Sequence, residues 1–130
     1  MPHRRQDRES DRLKKRIIEN AAEIVRLHAR IRETLADREE NSVKRREWEE
    51  ACKDFPARYD ALAFPGGYGG ALDRISSGDP KAIEVGICFL ECRPYFFRSG
   101  YMFKDIFRRC RRATVPGAGS APEDYRGETA

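Results

Sequence analysis

The segment from Asp79 to Cys92 has the most continuous apolar run in the chain, interrupted after its first turn only by Glu84 and Glu91. On a helix with 3.6 residues per turn, these two glutamates share one narrow strip, and apolar side chains cover most of the circumference. Asp79 is a favourable N-cap, and Pro80 suits the first helical position because its missing N–H is not needed there. The pattern therefore predicts a helix that needs neighbouring elements around it.

A β-strand is the alternative for this segment, because Val, Ile, Cys and Phe also suit sheets. A buried strand needs partner strands, however, and no other segment alternates cleanly between apolar and polar positions. We therefore expect a central helix that its neighbours enclose on nearly all sides, with Ile87 in the core. On this expectation, the substitution Ile87→Asp would bury an unpaired charge and unfold the protein.

A long amphipathic helix is predicted in the N-terminal part of the chain, with Ser10 as its N-cap. Its apolar side chains recur at steps of three and four residues. They are Leu13, Ile17, Ala21, Ile24, Leu27, Ile31 and Leu35. Ile18, Ala22 and Val25 widen this face on one flank, which indicates contact with more than one neighbour.

A second long helix follows a charged break at 37–41, with Ser42 as its predicted cap. Its apolar stripe consists of Trp48, Cys52, Phe55, Tyr59 and Leu62. The stripe runs through Pro56, whose ring removes one backbone hydrogen bond. Either the helix kinks there or it ends near Asp54 and restarts, and the unbroken stripe favours the kink. The short connection predicts an antiparallel hairpin, with Trp48 near its loop end against Leu35 or Ile31.

Glycine and proline residues divide the rest of the chain into shorter helices. The sequence Phe64-Pro65-Gly66-Gly67 ends the second helix, and a short helix over 71–76 ends at Gly78. Arg93-Pro94 ends the central helix, because the residue before proline avoids helical geometry. An aromatic turn then leads to a last helix over about 100–112. The apolar face of this helix contains Met102, Phe103, Ile106, Phe107 and Cys110.

These elements predict an all-α fold in which a long antiparallel helical hairpin, 10–63, precedes three shorter helices. The shorter helices occupy 71–112, so that a single helical domain spans 10–112, as the length of 130 residues suggests. Residues 1–9 are polar and are expected to fray. Residues 113–130 contain a Pro-Gly-Ala run with little to bury, and we expect them to form a disordered tail.

Several short motifs in the second half of the chain resemble those of small bacterial helical proteins of unknown function. They are Tyr59-Asp60-Ala61-Leu62-Ala63-Phe64-Pro65-Gly66-Gly67, Gly78-Asp79-Pro80, Phe89-Leu90-Glu91 and Pro94-Tyr95-Phe96-Phe97-Arg98-Ser99-Gly100-Tyr101. The likeness covers about residues 59–112 and extends more weakly to the preceding hairpin. It implies a helical fold punctuated by turns, and it implies no activity, substrate or site.

Composition restricts the classes of function. Charged residues make up 37% of the chain and the mean hydropathy is −0.79, so apolar residues must be concentrated in stripes. No apolar run reaches the length of a membrane span. No apolar segment follows the basic N-terminus, so we expect no secretory signal and a cytoplasmic location. The formal net charge of +4 allows an acidic partner without requiring one.

The four cysteines all lie in apolar stripes, which is typical of buried, reduced thiols. They are Cys52, Cys88, Cys92 and Cys110. Cys88 and Cys92 are four residues apart, whereas metal-binding pairs commonly have a two-residue gap on a loop. The spacing therefore favours packing, and we expect no metal.

No catalytic constellation is apparent in the sequence. The glycine-rich segment 66–70 lacks the Lys-Ser/Thr of a P-loop and follows no strand. His28 lies in the first apolar stripe, where a residue that fixes helix register is favoured over a proton-linked switch or a ligand. Glu84 and Glu91 would form an acid–base pair only if their strip lined a cleft. We therefore expect a non-enzymatic protein with no catalytic residue and no cofactor.

The last helix is the strongest candidate for a functional surface. From Arg93 to Arg112 the chain contains seven basic residues and one acidic residue, Asp105. The candidate contacts to an acidic or phosphate-bearing partner are Arg98, Tyr101, Lys104, Arg108, Arg109, Arg111 and Arg112. Alternatively, the helix dipole stabilises cations at the C-terminus, or the arginines pair with glutamates of the hairpin.

Two classes of function are compatible with these patterns. The leading hypothesis is a protein–protein interaction module that acts through its helix surfaces. A homodimer formed through the first two helices in coiled-coil fashion is one form of it. The alternative is nucleic-acid binding by the basic face of the last helix.

Overall fold

The computed structural model describes residues 2–114, with side chains from residue 8 to residue 113. Within that range the chain forms five helices. They are α1 (Pro2–Leu35), α2 (Ser42–Ala63), α3 (Ala71–Ser76), α4 (Pro80–Cys92) and α5 (Ser99–Thr114). The predicted all-α fold, a long hairpin followed by three shorter helices, is confirmed. The predicted tail, 113–130, lies outside the described residues except for its first two positions, which belong to α5.

The N-terminal boundaries of the two long helices differ from the predicted ones. α1 begins at Pro2, so Ser10 lies within the helix and is not its N-cap. α2 begins at Ser42 as predicted, but its cap is Asn41, whose Oδ1 accepts a hydrogen bond from the backbone N–H of Lys44 at 2.9 Å. Asn is as good a cap as Ser because its short side chain reaches the same N–H groups. The expected fraying of residues 1–9 stays a prediction.

The two long helices form the antiparallel hairpin. The guanidinium of Arg58 on α2 donates to the Glu23 carboxylate on α1 at 2.9 Å. Hydrogen bonds from Arg26, and in addition from Arg58, lower the pKa of that carboxyl to about 2. α2 continues through Pro56, which excludes the alternative that it ends near Asp54. The ion pair between Glu23 and Arg58 therefore joins two helices, α1 and α2, that are both unbroken where they carry these residues.

Trp48 lies near the loop end of the hairpin, as predicted, while its contact with Leu35 or Ile31 stays a prediction. The guanidinium carbons of Arg38 and Arg45 lie 5.4 and 5.7 Å from the centroid of its ring. Two cations over one indole stabilise its position through cation–π attraction. The tip of the hairpin is therefore held by charged residues around an aromatic ring.

α4 occupies the centre of the second half, with α1, α3 and α5 packed around it. Asp79 Oδ1 accepts from the backbone N–H of Lys81 at 3.1 Å, and Pro80 is the first helical residue, which confirms the predicted start. The helix ends at Cys92, and Arg93 then adopts the left-handed conformation with φ of 48°. Against α1, the Cys88 and Cys92 thiols donate to the carbonyl oxygens of Ser10 and Lys14.

The prediction that α4 is enclosed on nearly all sides is wrong at Ile87. Val85, Cys88 and Phe89 are buried, but Ile87 is 38% exposed. Three neighbouring helices cover only part of the circumference of α4, so the strip that contains Ile87 and Glu91 faces solvent. Phe107 on α5, which the sequence predicts on the apolar face, is likewise exposed. Apolar residues on such strips need no internal partner.

The connection from α2 to α3 is held by two charged side chains. Asp60 accepts a hydrogen bond from the Gly69 N–H at 2.7 Å. Arg74 donates to the carbonyl oxygens of Gly67 and Gly69 at 2.9 and 3.2 Å. Gly67 has a φ of 90°, and a Cβ there would lie 3.0 Å from the Asp60 carboxylate. These contacts fix the backbone of the glycine-rich segment 66–70 against α2 and α3.

α4 lies very close to α5 at Gly86. A Cβ built on Gly86 would lie 2.6 Å from the sulfur of Cys110 on α5. It would also lie 3.3 Å from Ile75 Cδ1 on α3 and 3.4 Å from Ile106 Cγ2. Only glycine leaves room for the three helices to meet here, because real Cβ atoms do not approach other atoms so closely.

We expect Gly86→Ala to destabilise the protein. Overpacking costs about 1–3 kcal/mol, and the better helix propensity of alanine recovers about 1 kcal/mol, so the net loss reaches about 2 kcal/mol. Urea unfolding followed by circular dichroism would measure it. Gly100→Ala is the matched control, since a Cβ there meets nothing within 4 Å. Cys110→Ala removes the sulfur that the new Cβ would meet, so the double variant Gly86→Ala with Cys110→Ala should show a smaller loss from the Gly86 change. An unchanged loss would mean that the Cys110 sulfur is not the source of the clash.

We expect Ile87→Asp to melt cooperatively, with a loss of only about 1 kcal/mol, because the side chain already contacts solvent. Phe89→Asp should lose at least about 4 kcal/mol, since it buries a charge among fully enclosed side chains. The same urea titration compares the two variants. Equal losses would mean that both faces of α4 are enclosed.

Candidate interaction groove

A groove of about 890 Å³ lies between the middle of α1 and the segment that joins α4 to α5. One wall comes from α1 and the other from residues 93–104. The lining residues are Val25, His28, Ala29, Arg32, Arg93, Pro94, Tyr95, Phe96, Phe97, Arg98, Ser99, Gly100, Tyr101, Phe103 and Lys104. Aromatic and basic side chains dominate this set, and it contains no Asp or Glu.

Local hydrogen bonds determine the shape of the second wall. The Phe96 backbone N–H donates to Ser99 Oγ, and the Ser99 N–H donates to the Phe96 carbonyl, both at 3.0 Å. Arg98, between them, has a φ of 68°. The Tyr59 hydroxyl donates to the Phe97 carbonyl at 2.6 Å, and burial raises the pKa of this hydroxyl. The turn is thereby tied both to itself and to α2.

The rings around the groove differ in their exposure. Phe96 is buried and forms part of the core, whereas Tyr95 is 88% exposed and Tyr101 is 70% exposed. Phe97 is also exposed, although its ring contacts those of His28 and Phe55, with centroids 4.8 and 5.9 Å away. Large exposed rings on a backbone held by hydrogen bonds are typical of binding surfaces.

His28 belongs to the groove, although the sequence favoured a role in helix register. Its ring lies 4.9 Å from Phe55 and 4.8 Å from Phe97, measured between centroids. These contacts connect the α1 wall with α2 and with the opposite wall. His28 therefore lines the groove at the point where α1, α2 and the α4–α5 segment meet.

Four basic residues give the groove its electrostatic character: Arg32, Arg93, Arg98 and Lys104. The Arg93 guanidinium lies 5.0 Å from the Phe103 ring centroid, and that of Arg98 lies 5.2 Å from the Phe97 centroid. A guanidinium stacked on a ring keeps its edge available for hydrogen bonds to an anion. The positive end of the α5 dipole lies at the same place, because Ser99 and Gly100 open that helix.

An apolar strip of α1 continues from the groove wall toward the N-terminus. Val25 and Ala29 line the groove, and Ala22 and Ile18 precede them at helical steps of three and four. Ile18, Ala22 and Val25 are exposed. This is the flank that the sequence indicated for an additional neighbour. In the described part of the chain it stays accessible beside the groove.

The structure divides the seven predicted contact residues into two groups. Arg98, Tyr101 and Lys104 line the groove. The others, Arg108, Arg109, Arg111 and Arg112, lie in the C-terminal half of α5, outside the groove lining. Only the N-terminal part of the predicted basic face of α5 therefore belongs to the groove.

Arg109 has an internal role. Its Nη1 atom donates to the Leu72 carbonyl at 3.1 Å and to Ser76 Oγ at 2.9 Å, which ties α5 to the two ends of α3. Arg108 pairs with Asp105 on its own helix at 3.4 Å. Arg108 and Arg109 thus pair within the chain, but their partners are on α3 and α5 and not on the hairpin, where the sequence predicts them.

Other polar groups that the sequence singled out lie away from the groove. Glu91 pairs with Lys14 at 2.9 Å, and Glu84 lies 3.7 Å from Lys81. Neither glutamate lines the groove. Within residues 2–114, no group of three or more potential ligand side chains could hold a metal ion. In the same range, no helix combines the length and apolar character needed to cross a bilayer.

Burial determines the state of the α4 and α5 thiols. It raises the pKa of Cys110 to about 11 and also raises the pKa values of Cys88 and Cys92. These three thiols therefore stay protonated near neutral pH, and a protonated thiol is a poor nucleophile.

Comparison with known proteins found no relative. No protein-family model matched the chain, and neither the curated proteins nor the solved structures contained a match. The resemblance to small bacterial helical proteins therefore stays a prediction.

We expect Arg109→Ala to lower the free energy of unfolding by about 1–2 kcal/mol, because it removes two charge-assisted hydrogen bonds to α3. Arg108→Ala is the control on the next residue. It should change stability by less than about 0.5 kcal/mol, since its ion pair is exposed. Urea unfolding measures both, and equal losses would contradict the internal role of Arg109.

Proposed function

We propose that this protein is a non-enzymatic binding module that takes a segment of a partner protein in its groove. The observation that carries the proposal is the continuity between the aromatic groove and the apolar strip of α1. Tyr95 and Tyr101 offer exposed rings, and Ile18 and Val25 extend the apolar surface beyond them. Exposed apolar surface of this kind is typical of sites that another protein covers.

Nucleic-acid binding is the competing function, because basic grooves with aromatic rings also bind single strands. Two observations favour a protein partner. Affinity for nucleic acid depends on the number of phosphates neutralised, and the C-terminal half of the basic face does not line the groove. A nucleic acid would also leave the aliphatic side chains of Ile18, Ala22 and Val25 without a partner.

Self-association is a special case of the same proposal. A homodimer through the first two helices would use surface of α1 that its contacts with α2 and α4 leave uncovered. The strip from Ile18 to Ala29 remains for a second copy. Light scattering over a range of concentrations reports this directly, as a mass near 15 kDa or near twice that value.

A reducing compartment such as the cytoplasm is the proposed place of action. Cys52, Cys88, Cys92 and Cys110 are all thiols and form no disulfide, which supports it, because proteins of oxidising compartments usually pair their cysteines.

Selection from a random peptide library, with the full chain immobilised, tests the proposed function. We expect the recovered peptides to bind wild type at least tenfold more tightly than a variant with Tyr95→Ala and Tyr101→Ala. Phe107→Ala is the matched control, because Phe107 is an exposed ring on α5 outside the groove lining. It should bind like wild type. Thermal melts of both variants show that they are folded.

Two results would contradict the proposal. One is a set of recovered peptides that bind the double tyrosine variant as tightly as wild type. The other is a selection that recovers nothing, together with tight oligonucleotide binding that weakens steeply with salt. That second result would assign the groove to nucleic acid.

A further inference from the structure

We infer that the groove takes an acidic amphipathic helix of about three turns, contributed by the partner protein. The inference rests on the proposed function and specifies the chemistry of the occupant. Three features of the described residues lead to it: the basic residues on both walls, the geometry of the α1 strip, and the rings between them.

The first feature is the charge of the groove. Arg32 lies on the α1 wall, and Arg93, Arg98 and Lys104 lie on the opposite wall. Ion pairs are frequent elsewhere in the described part of the chain, yet none of them involves these four residues. An occupant therefore meets positive charge from two sides, and negative groups along both of its flanks would be complementary to it.

Carboxylates suit these residues for geometric reasons. The guanidinium groups of Arg93 and Arg98 each lie over a ring, at 5.0 and 5.2 Å from its centroid. The stacking restricts their motion, so less rotamer entropy is lost when they bind an anion. A planar guanidinium binds a carboxylate through two parallel hydrogen bonds. Arg93 and Arg98 can therefore bind glutamate or aspartate side chains of the occupant with little further loss of rotamer entropy.

The second feature is the spacing along α1. Ile18, Ala22, Val25 and Ala29 follow one another at steps of four, three and four residues, so they form a single row along the helix. The row is about 16 Å long at 1.5 Å per residue, which corresponds to about three helical turns. Small and medium-sized residues on such a row leave grooves that accept the ridges of a second helix. The strip thus favours a helix over an extended peptide.

The third feature is the position of the exposed rings. Tyr95 and Tyr101 stand on the wall that faces the α1 strip across the groove. A helix laid along Val25 and Ala29 would contact α1 with its apolar face and the tyrosines with one flank. Recognition of an amphipathic helix by an apolar groove with charged margins is a common mode of binding.

Fluorescence anisotropy with two labelled peptides tests the inference. Both peptides are 15 residues long, with leucine at positions i, i+3, i+4, i+7 and so on. One carries glutamate at the flanking positions, and the other carries glutamine at the same positions. We expect the glutamate peptide to bind the full chain at least tenfold more tightly at 50 mM salt. The difference should shrink at 300 mM salt because the Debye length shortens.

Charge-matched variants test the assignment to these residues. Arg32→Gln with Arg98→Gln should remove most of the preference for the glutamate peptide. Arg46→Gln with Arg108→Gln removes the same charge outside the groove lining and should keep the preference. Ile18→Gln with Val25→Gln should weaken the binding of both peptides by a similar factor, since the apolar strip of α1 contacts the leucines that the two peptides share.

The outcomes separate the inference from the proposed function. Equal binding of the two peptides, or binding of neither while library-selected peptides do bind, overturns the acidic helix and leaves the binding module intact. A 15-nucleotide oligo-dT that binds more tightly than the glutamate peptide and depends on Arg32 and Arg98 overturns both. If the Arg46→Gln, Arg108→Gln variant also lost the preference for the glutamate peptide, the overall charge of the protein, and not the groove, would be its cause.

Discussion

The arrangement of the second half of the molecule depends on the absence of a side chain at Gly86. Because no Cβ stands between them, α4 lies against Cys110 and Ile106 of α5 and against Ile75 of α3. α5 starts only a few residues after α4 ends, so the close crossing also restricts where the joining segment can run. That segment is the second wall of the groove. A packing contact in the core thus determines the position of a surface feature.

The hairpin supports the groove from the other side. The rings of His28, Phe55, Tyr59 and Phe97 form a connected cluster, and the Tyr59 hydroxyl holds the Phe97 carbonyl. These contacts link α1, α2 and the α4–α5 segment at one point. A wall fixed in this way loses little conformational entropy on binding, which is the physical advantage of presenting exposed rings on a rigid backbone.

The arginines between residues 93 and 112 have two different roles. Arg109 is directed at α3, where two hydrogen bonds to backbone and hydroxyl oxygens hold it. Arg93 and Arg98 lie over rings at the groove and have no carboxylate partner among the described residues. Exposed ion pairs contribute little to stability, so the surface pairs of the hairpin matter less to the fold than the internal bonds of Arg109.

Helix periodicity and chain punctuation were sufficient to predict most of the fold. Steps of three and four residues marked α1 and α2, and Asp79-Pro80 and Arg93-Pro94 marked the limits of α4, because caps and proline act locally on the backbone. Local signals did not distinguish Asn41 from Ser42 as a cap, since both have the required chemistry. Hydrophobicity alone also gave no means of telling which side of α4 would face solvent at Ile87.

The groove was only partly predictable. Arg98, Tyr101 and Lys104 were identified from charge, but Val25, His28 and Arg32 lie far from them in sequence and join them only when α1 packs beside the α4–α5 segment. The packing of α3 against α5 separated Arg109 from the candidate set, because it places the Leu72 carbonyl and the Ser76 hydroxyl within reach of Arg109. The sequence by itself determined the helices, both limits of α4 and the surplus of positive charge, because these depend on residues a few positions apart. The tertiary structure decided which charges are used internally and which surround a groove, because that depends on distances between helices that no local pattern encodes.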